Sequence, residues 1–264
     1  MDKQALTHEI ITAIRDGKYH QKIDLYKANL EGVNLENTQL SHGNFIGVNL
    51  RNANLQGADL SGIDLRGADL RNANLTGANL KNACLHRTIL ENTNFTNANL
   101  EGVKIPLARY NCDTIWPENF NYQKSGAVGP RASLSGAYLC TANLRYADLQ
   151  GANLRGAYLS GADLTGANLK DAALSSADLN RAFLTGAYLR GARLTGCILK
   201  MVDMRGADLT DAELEYLDNI AGADFYKVQG LTAANRGMLL GRSPAELDVW
   251  NSFTRRTTRE SLES

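Results

Sequence analysis

Large apolar residues recur at every fifth position in two long runs of this chain. Leu, Phe, Ile or Met fills each fifth position from Leu25 to Ile105 and again from Leu134 to Leu214, 17 repeats in each run. A period of five fits neither the 3.6-residue period of an α-helix nor the two-residue alternation of a flat strand. We therefore predict a backbone that turns a corner within every repeat, so that all the large residues face one interior.

Two further slots of the repeat indicate how the corner is built. The residue two positions before the large one is small, most often Ala, which predicts an interior too narrow for two bulky side chains at one level. The residue two positions after it is mostly Gly or Asn. These residues tolerate the positive φ that a type II turn requires at its third position. The intervening slots are polar and are expected to face water.

The repeated motif Ala-(Asp/Asn)-Leu-x-Gly, as in Ala58–Gly62 and Ala162–Gly166, resembles that of the pentapeptide repeat family. The resemblance covers roughly residues 23–226. It implies an all-β solenoid, a right-handed quadrilateral β-helix with four repeats to a coil and coils about 4.8 Å apart. Because each coil touches only its neighbours, N- and C-terminal α-helical caps are expected to cover the ends.

The runs and their flanks divide the chain into five predicted segments. These are an N-terminal helical cap at 1–20, a first repeat array at 21–105, a loop insertion at 106–131, a second array at 132–226 and a C-terminal helical region at 227–264.

Helical signals at both ends support the caps. Apolar residues at helical spacing predict a helix over 4–16 that ends at Gly17 and either covers the first coil or binds a partner. A shorter helix is expected from Thr232 to Leu240. The run from Ser243 to Glu246 has the pattern of a capping residue, a first-turn proline and a Glu three residues after the cap. That pattern predicts a helix over 244–260.

The insertion breaks the register of the repeat, because Leu134 lies 29 residues after Ile105, one short of a multiple of five. Tyr110, Ile115 and Phe120 are predicted to keep the phase of the first run, and the segment 114–120 resembles an element that often follows such repeats in photosynthetic bacteria. The insertion is either a surface excursion pinned by aromatic side chains or a recognition loop. The two arrays form either one rod or two rods hinged at the loop.

Stacked coils align every twentieth residue, which predicts columns of side chains on the surface. Asn34, Asn54, Asn74 and Asn94 are expected to form an amide ladder. Glu31, Arg51, Arg71 and Glu91 are expected to form a charged column with mostly opposite neighbours.

Aromatic residues at outward slots are the candidate interaction surface, with ordinary stacking between coils as the alternative. Tyr138 is expected to lie over Tyr158, and the C-terminal helix could join two copies into a homodimer. The full candidate set is Trp116, Phe120, Tyr122, Tyr138, Tyr158, Phe183, Tyr188, Trp250 and Phe253.

The sequence offers little for catalysis. The four cysteines, Cys84, Cys112, Cys140 and Cys197, lack metal-ligand spacing, and the four histidines are scattered. No phosphate-binding glycine loop is present, since the glycines recur at corners. We expect no catalytic residue, no metal site and no cofactor, and therefore no enzyme.

Charge and hydropathy bound the partners and the compartment. The chain has 28 basic and 28 acidic residues, and it has neither a signal-peptide pattern nor 18 consecutive apolar residues. We predict a cytoplasmic protein that binds neither nucleic acid nor membrane. The first functional hypothesis is a structural scaffold for an unknown protein partner.

The alternative hypothesis is a DNA-mimicking binder of a type II topoisomerase, DNA gyrase, as the resemblance to quinolone-resistance members of the family implies. Such mimicry requires a strongly negative surface. Residues 23–105 carry 7 basic and 8 acidic side chains and residues 132–216 carry 8 and 9, so near-neutral charge disfavours this alternative.

Overall fold

The computed structural model describes residues 9, 11–17 and 23–264 and divides into two compact units, Met1–Val128 and Gly129–Ser264. Each unit contains one run of repeats. Among the described residues, no helix is long and apolar enough to cross a membrane.

Each repeat supplies one side of a four-sided coil. One residue per side pairs in parallel with the residue 20 positions later, as Asn34 does with Asn54 and Asn54 with Asn74. The N–H of Leu55 donates to the carbonyl of Asn74 at 2.8 Å, and the N–H of Asn54 donates to the carbonyl of Val33 at 2.9 Å. Four repeats therefore close one coil, as the resemblance to the family implies.

A tight turn joins successive sides of the coil. At one corner the N–H of Ala58 donates to the carbonyl of Leu55 at 3.1 Å, and Gly57 has a φ of +66°. At another, Asn37 holds a φ of +55°. The predicted positive φ is confirmed at these corners. The N–H of Gly57 also donates to the carbonyl of Thr76, so the corners are hydrogen-bonded from coil to coil.

The interior is dry and narrow. Leu75 and Leu164 are 0% exposed, as are Ala58 and Ala162 in the small slot. Where the small slot holds threonine, the hydroxyl is satisfied by a backbone carbonyl, as in the bond from Thr93 Oγ1 to the Leu70 oxygen at 2.8 Å. The predicted leucine-lined axis is confirmed.

The prediction that Ile115 keeps the phase of the first run is wrong. Asn94 pairs with Ile115, which is 21 residues later, and Ile115 is 51% exposed. One extra residue between Tyr110 and Trp116 moves Trp116 into the place of the inward residue. The ladder is regained where Arg109 pairs with Val128, after a 3₁₀ helix at Tyr122–Lys124.

The C-terminal region consists of short elements. Helix α1 spans Ala233–Leu240, helix α2 spans Pro244–Leu247, strands β1 (Trp250–Asn251) and β2 (Arg256–Thr257) form an antiparallel hairpin, and helix α3 spans Thr258–Glu263.

The prediction of one helix over 244–260 is wrong. Ser243 makes no side-chain capping bond, and the N–H of Glu246 donates to the carbonyl of Ser243 at 2.9 Å. The Glu246 carboxylate is held by Arg242. The chain then turns at Asn251, whose Nδ2 donates to the carbonyl of Gly222 at 2.7 Å and whose Oδ1 accepts from the N–H of Phe253 at 3.0 Å. A buried side-chain bond of this kind competes successfully with helix formation.

These short elements cover the last coil of the second array. That coil contains one extra residue, since Ile198 pairs with Asn219. Thr258 Oγ1 donates to the carbonyl of Ile220 at 3.1 Å, and Ser261 Oγ accepts from the N–H of Phe225 at 3.0 Å. The cap therefore satisfies backbone groups that the final coil would otherwise leave open.

The N-terminal helix is described only in part. Residues 9 and 11–15 are helical, Ile11 and Ile14 are buried, and Gly17 has a φ of +65°. The remainder of the predicted helix over 4–16 lies outside the described residues.

Candidate interaction surfaces

Three of the candidate aromatic residues form one cluster in the first unit. The ring of Trp116 stacks on Phe95 with centroids 5.2 Å apart, and Phe120 and Tyr122 each lie 5.4 Å from Trp116. Tyr110 meets Trp116 edge to face. We call these five residues the aromatic cluster. All three candidates are half-buried, so their first role is packing at the place where the register changes.

Two tyrosines of the second unit present stacked rings to solvent. The rings of Tyr138 and Tyr158 are 4.8 Å apart and nearly parallel, at 5°. Their side chains are 81% and 44% exposed. The predicted stacking is confirmed. We call these two residues the tyrosine pair.

The remaining candidates lie on other sides of the same unit. Phe183 is half-buried and meets Phe253 edge to face at 6.1 Å. Tyr188 is exposed and lies two sides away from the tyrosine pair, because it follows Asp178, the bridge partner of Tyr158, by ten residues. Trp250 is exposed in the C-terminal hairpin. The candidates of this unit are thus spread over several sides.

Sequence reasoning missed two exposed tyrosines at corners. Tyr146 and Tyr216 are 68% and 86% exposed, and each has positive φ. The signal that could have found them is a tyrosine in the slot that usually holds Gly or Asn. The ring of Tyr146 covers Gly166 in the next coil, where a Cβ atom would lie 2.6 Å from it.

Arginines neutralise many of the outward carboxylates. Arg66 and Arg205 bind Asp64 and Asp203 two residues earlier in the chain, each at 2.7 Å. The hydrogen bond from the Arg66 guanidinium lowers the pKa of the Asp64 carboxyl. Arg71 binds Asp69 in the same way. The predicted charged column is confirmed as an alignment of coils, since the N–H of Asn52 donates to the carbonyl of Arg71 and the N–H of Asn72 donates to the carbonyl of Glu91.

The amide ladder is present where the sequence predicts it. Asn54 Nδ2 donates to Asn34 Oδ1 at 3.2 Å, and Asn74 Nδ2 donates to Asn54 Oδ1 at 3.3 Å. Asn94 continues the column through its bridge to Asn74. The ladder adds side-chain bonds to the parallel backbone pairing and so stiffens this face.

Among the described residues, no group of His, Cys, Asp and Glu is placed to hold a metal ion. All four cysteines are free thiols. Burial raises the pKa of the Cys197 thiol to about 12, and its Sγ donates to the carbonyl of Leu174 at 3.0 Å. This thiol is therefore a core residue and not a nucleophile.

Comparison with known proteins identifies the repeat. The family model described as pentapeptide repeats matches in eight copies, which fall within residues 22–108 and 132–218. The chain belongs to the pentapeptide repeat family. Solved structures of pentapeptide repeat proteins are right-handed quadrilateral β-helices, so the predicted fold class is confirmed. Among curated proteins, none matches the chain significantly.

Several solved pentapeptide repeat proteins are similar to this one. A protein from the Arabidopsis thaliana thylakoid lumen is 33% identical, with 50% of this chain and 87% of that chain covered and a TM-score of 0.45. HetL, involved in heterocyst differentiation regulation in the cyanobacterium Nostoc sp. Strain PCC 7120, is 32% identical over 82% and 95% of the two chains, with a TM-score of 0.27. QnrB1, a plasmid-mediated fluoroquinolone resistance protein, is 20% identical over 83% and 97%, with a TM-score of 0.33.

Proposed function

We propose that this pentapeptide repeat protein is a non-enzymatic scaffold that binds a protein partner in the cytoplasm. The observation that carries the proposal is the tyrosine pair, two large rings exposed side by side at slots that elsewhere hold Asp or Asn. Homodimerisation through Trp250 and Phe253 stays a prediction.

The tyrosine pair has the properties of a binding hot spot. Tyr138 and Tyr158 project from bridged residues of adjacent coils, so the backbone fixes their positions before any partner arrives. Preorganised rings lose little conformational entropy on binding. Tyrosine also contributes both apolar area and a hydroxyl, which explains its enrichment at the energetic centres of interfaces. The pair is therefore suited to contact a flat apolar surface with polar edges.

The test replaces both tyrosines by the residue that the slot normally holds. The Tyr138→Asn/Tyr158→Asn variant and the intact protein are used to capture proteins from a native cell extract, which are quantified by mass spectrometry. Tyr188→Asn, an exposed tyrosine two sides away, is the matched control. We expect at least one protein to be lost with the double variant and retained with the control. Identical captured sets would show that the pair is not a binding surface.

DNA mimicry of the kind that would engage a topoisomerase is not favoured. Several outward carboxylates that would imitate phosphates are neutralised by arginines, as in the Arg145–Asp163 contact at 3.0 Å and the Arg205–Asp203 contact at 2.7 Å. At 20% identity, the similarity to QnrB1 concerns the fold alone.

A further inference from the structure

One side of the last coil in the first unit lacks the strand that should lie above it, and the next side is paired only at its corner, where the N–H of Leu107 donates to the carbonyl of Gly126 at 2.9 Å. Below, the side at Leu100 is complete, with the N–H of Leu80 donating to the carbonyl of Asn99 at 2.8 Å. Above, the N–H of Leu100 and the carbonyl of Ala98 make no hydrogen bond to any described residue, and the same holds for the N–H of Ile105. A row of open backbone groups therefore faces the place of a missing strand.

The chain leaves this place free because the segment after Trp116 follows another path. Pro117 cannot donate to the ladder, and the 3₁₀ helix at Tyr122–Lys124 replaces the next side. The result is a cavity of about 580 Å³ lined by Asn97, Ala98, Asn99, Leu100, Glu101, Pro117, Glu118, Asn119 and Phe120. Its size is within the range of natural ligand sites.

The side chains at the open edge specify what would fit. Asn99 ends an amide ladder, since its Nδ2 donates to Asn79 Oδ1 at 3.1 Å and Asn79 Nδ2 donates to Asp59 Oδ1 at 3.0 Å. The next member of this ladder would be a side chain with an N–H group. Glu101 is paired with Lys81 at 2.9 Å, whereas Glu118 has no ion-pair partner within the described part of the chain. The surplus carboxylate favours a basic residue.

We propose that this gap is a strand-addition site for an extended, basic peptide segment of a partner protein. The segment supplies the missing side of the coil, accepting from the N–H of Leu100 and donating to the carbonyl of Ala98. It carries a small residue over Ala98, an Asn over Asn99 and, in the register above Glu101, a Lys in the cavity that Glu118 also lines. Main-chain hydrogen bonds would provide the affinity and these side chains the specificity. The site rests on the binding role proposed above and names the class of partner that it takes.

The sequence of the chain itself provides a probe in the required register. Residues 77–83, Gly-Ala-Asn-Leu-Lys-Asn-Ala, form the regular side two coils below the gap. A fluorescein-labelled peptide of this sequence is titrated into the full-length protein and followed by anisotropy. The control peptide has the same side chains but carries an N-methyl group on the backbone nitrogen of its first Asn, the residue that corresponds to Asn79. This methyl group removes the N–H that would donate to the carbonyl of Ala98. We expect saturable binding of the first peptide and at least tenfold weaker binding of the second.

Protein variants test the location of the site. Glu118→Lys reverses a charge that lines the cavity, and we expect it to weaken binding of the probe severalfold. Asp113→Lys makes the same charge change at an exposed residue of the same segment that does not line the cavity, and should leave binding unchanged. Hydrogen exchange of the Leu100 amide, measured by NMR, should slow on saturation with the probe.

The outcomes separate this site from the tyrosine pair. No binding at millimolar probe, equal binding of the N-methylated peptide, or unchanged exchange at Leu100 would each overturn the strand-addition site while leaving tyrosine-dependent capture intact. Conversely, the Tyr138→Asn/Tyr158→Asn variant should bind the probe as the intact protein does. If the intact protein and the double variant capture identical sets of proteins while the probe binds normally, the proposed tyrosine surface alone is overturned.

Discussion

One residue sets the conformation of each corner, and the coil next to it decides which residue is allowed. Positive φ is compatible with Asn, and this chain also places Tyr146 there, at +55°. Gly166 and Gly156 have similar φ values of +65° and +60°, yet only Gly166 lies against a neighbouring ring. Glycine is therefore required at Gly166 for space as well as for backbone freedom.

Replacing these glycines by alanine should separate the two requirements. Gly156→Ala should cost about 1 kcal/mol for the strained φ, because nothing lies within 4 Å of its Cβ. Gly166→Ala should cost about 1–3 kcal/mol more, since the Tyr146 ring must move. Chemical denaturation of both variants measures the difference. In a Tyr146→Ala background the two substitutions should become equivalent, and a persisting gap would contradict the steric explanation.

The pairing of neighbouring charges gives this surface a defined response to acid. The pKa of Asp64 is lowered from its ordinary value of 3.8, chiefly by the hydrogen bond from Arg66. A lowered carboxyl pKa stabilises the fold above the unfolded pKa, and the contribution is lost as the pH falls through the folded pKa.

Arg66→Gln should raise the pKa of Asp64 toward its ordinary value. A ¹³C NMR titration of the carboxyl carbon, with the protein folded throughout, measures the change. Arg155→Gln, which lies in the other unit, should leave the Asp64 titration as it is. An unaltered Asp64 pKa in Arg66→Gln would show that the contact does not persist in solution.

A single side of the coil is the unit in which the register can shift. One added residue before Trp116 turns Ile115 outward, and the aromatic cluster fills the interior where the shift occurs. The ring of Trp116 covers the coil below it, because it stacks on Phe95 with an angle of 4° between the ring planes.

Asparagine substitutions should distinguish the observed phase from the one that the period predicts. Ile115→Asn should change the free energy of unfolding by no more than about 0.5 kcal/mol, because the side chain already faces solvent. Trp116→Asn should cost about 3 kcal/mol or more, because it removes a packed ring and leaves a polar group inside. Thermal unfolding of the two variants gives the comparison, and the reverse order would restore the original phase.

The two capping sequences of the C-terminal elements differ in the bonds that they make. Thr257 caps helix α3, with a reciprocal bond between Glu260 and the Thr257 N–H. Ser243, with the same pattern three residues before Glu246, makes no side-chain capping bond. The N–H of Glu246 donates to the carbonyl of Ser243 at 2.9 Å, and Arg242 binds the Glu246 carboxylate at 2.8 Å.

The two capping positions should therefore differ on mutation. Thr257→Ala should destabilise the protein by about 1 kcal/mol. Ser243→Ala should change stability by less than about 0.5 kcal/mol. Urea titrations compare the two, and equal losses would indicate that both caps form in solution.

In a solenoid each coil covers the core of the coils next to it. The last coil at each end has no such neighbour and must be covered by a cap of different structure. In the second unit the cap buries Leu239, Leu247 and Leu262 and binds backbone groups of the final coil. Without that cover the coil would present an edge ready to pair with another copy.

A chain that ends at Gly230 should consequently self-associate. Sedimentation velocity over a range of concentrations should show species that grow with concentration, beyond any association of the intact protein. The full-length Trp250→Ser/Phe253→Ser variant, which keeps the cap, serves as the control. A truncated chain that sediments independently of concentration would show that the cap has no protective role.

The repeat made much of the fold predictable. The inward slots and the corner in each repeat follow from the spacing of five, because neither a helix nor a flat strand buries all the leucines. The Tyr138–Tyr158 stacking follows once the family resemblance supplies four repeats to a coil. The phase at Ile115 and the helix over 244–260 were not predictable in this way. Each depends on a bond between residues far apart in sequence, such as Asn251 with Gly222. The five-segment division and the functional role of the aromatic residues stay predictions.

The sequence by itself determined the coil, since each repeat carries its own inward, corner and outward residues and every coil repeats the same local solution. Only the tertiary structure decided where that solution fails. The open edge at Leu100 arises because the chain between Trp116 and Gly126 satisfies its own groups in a 3₁₀ helix and an aromatic cluster. That balance between local packing and ladder pairing cannot be read from any single repeat.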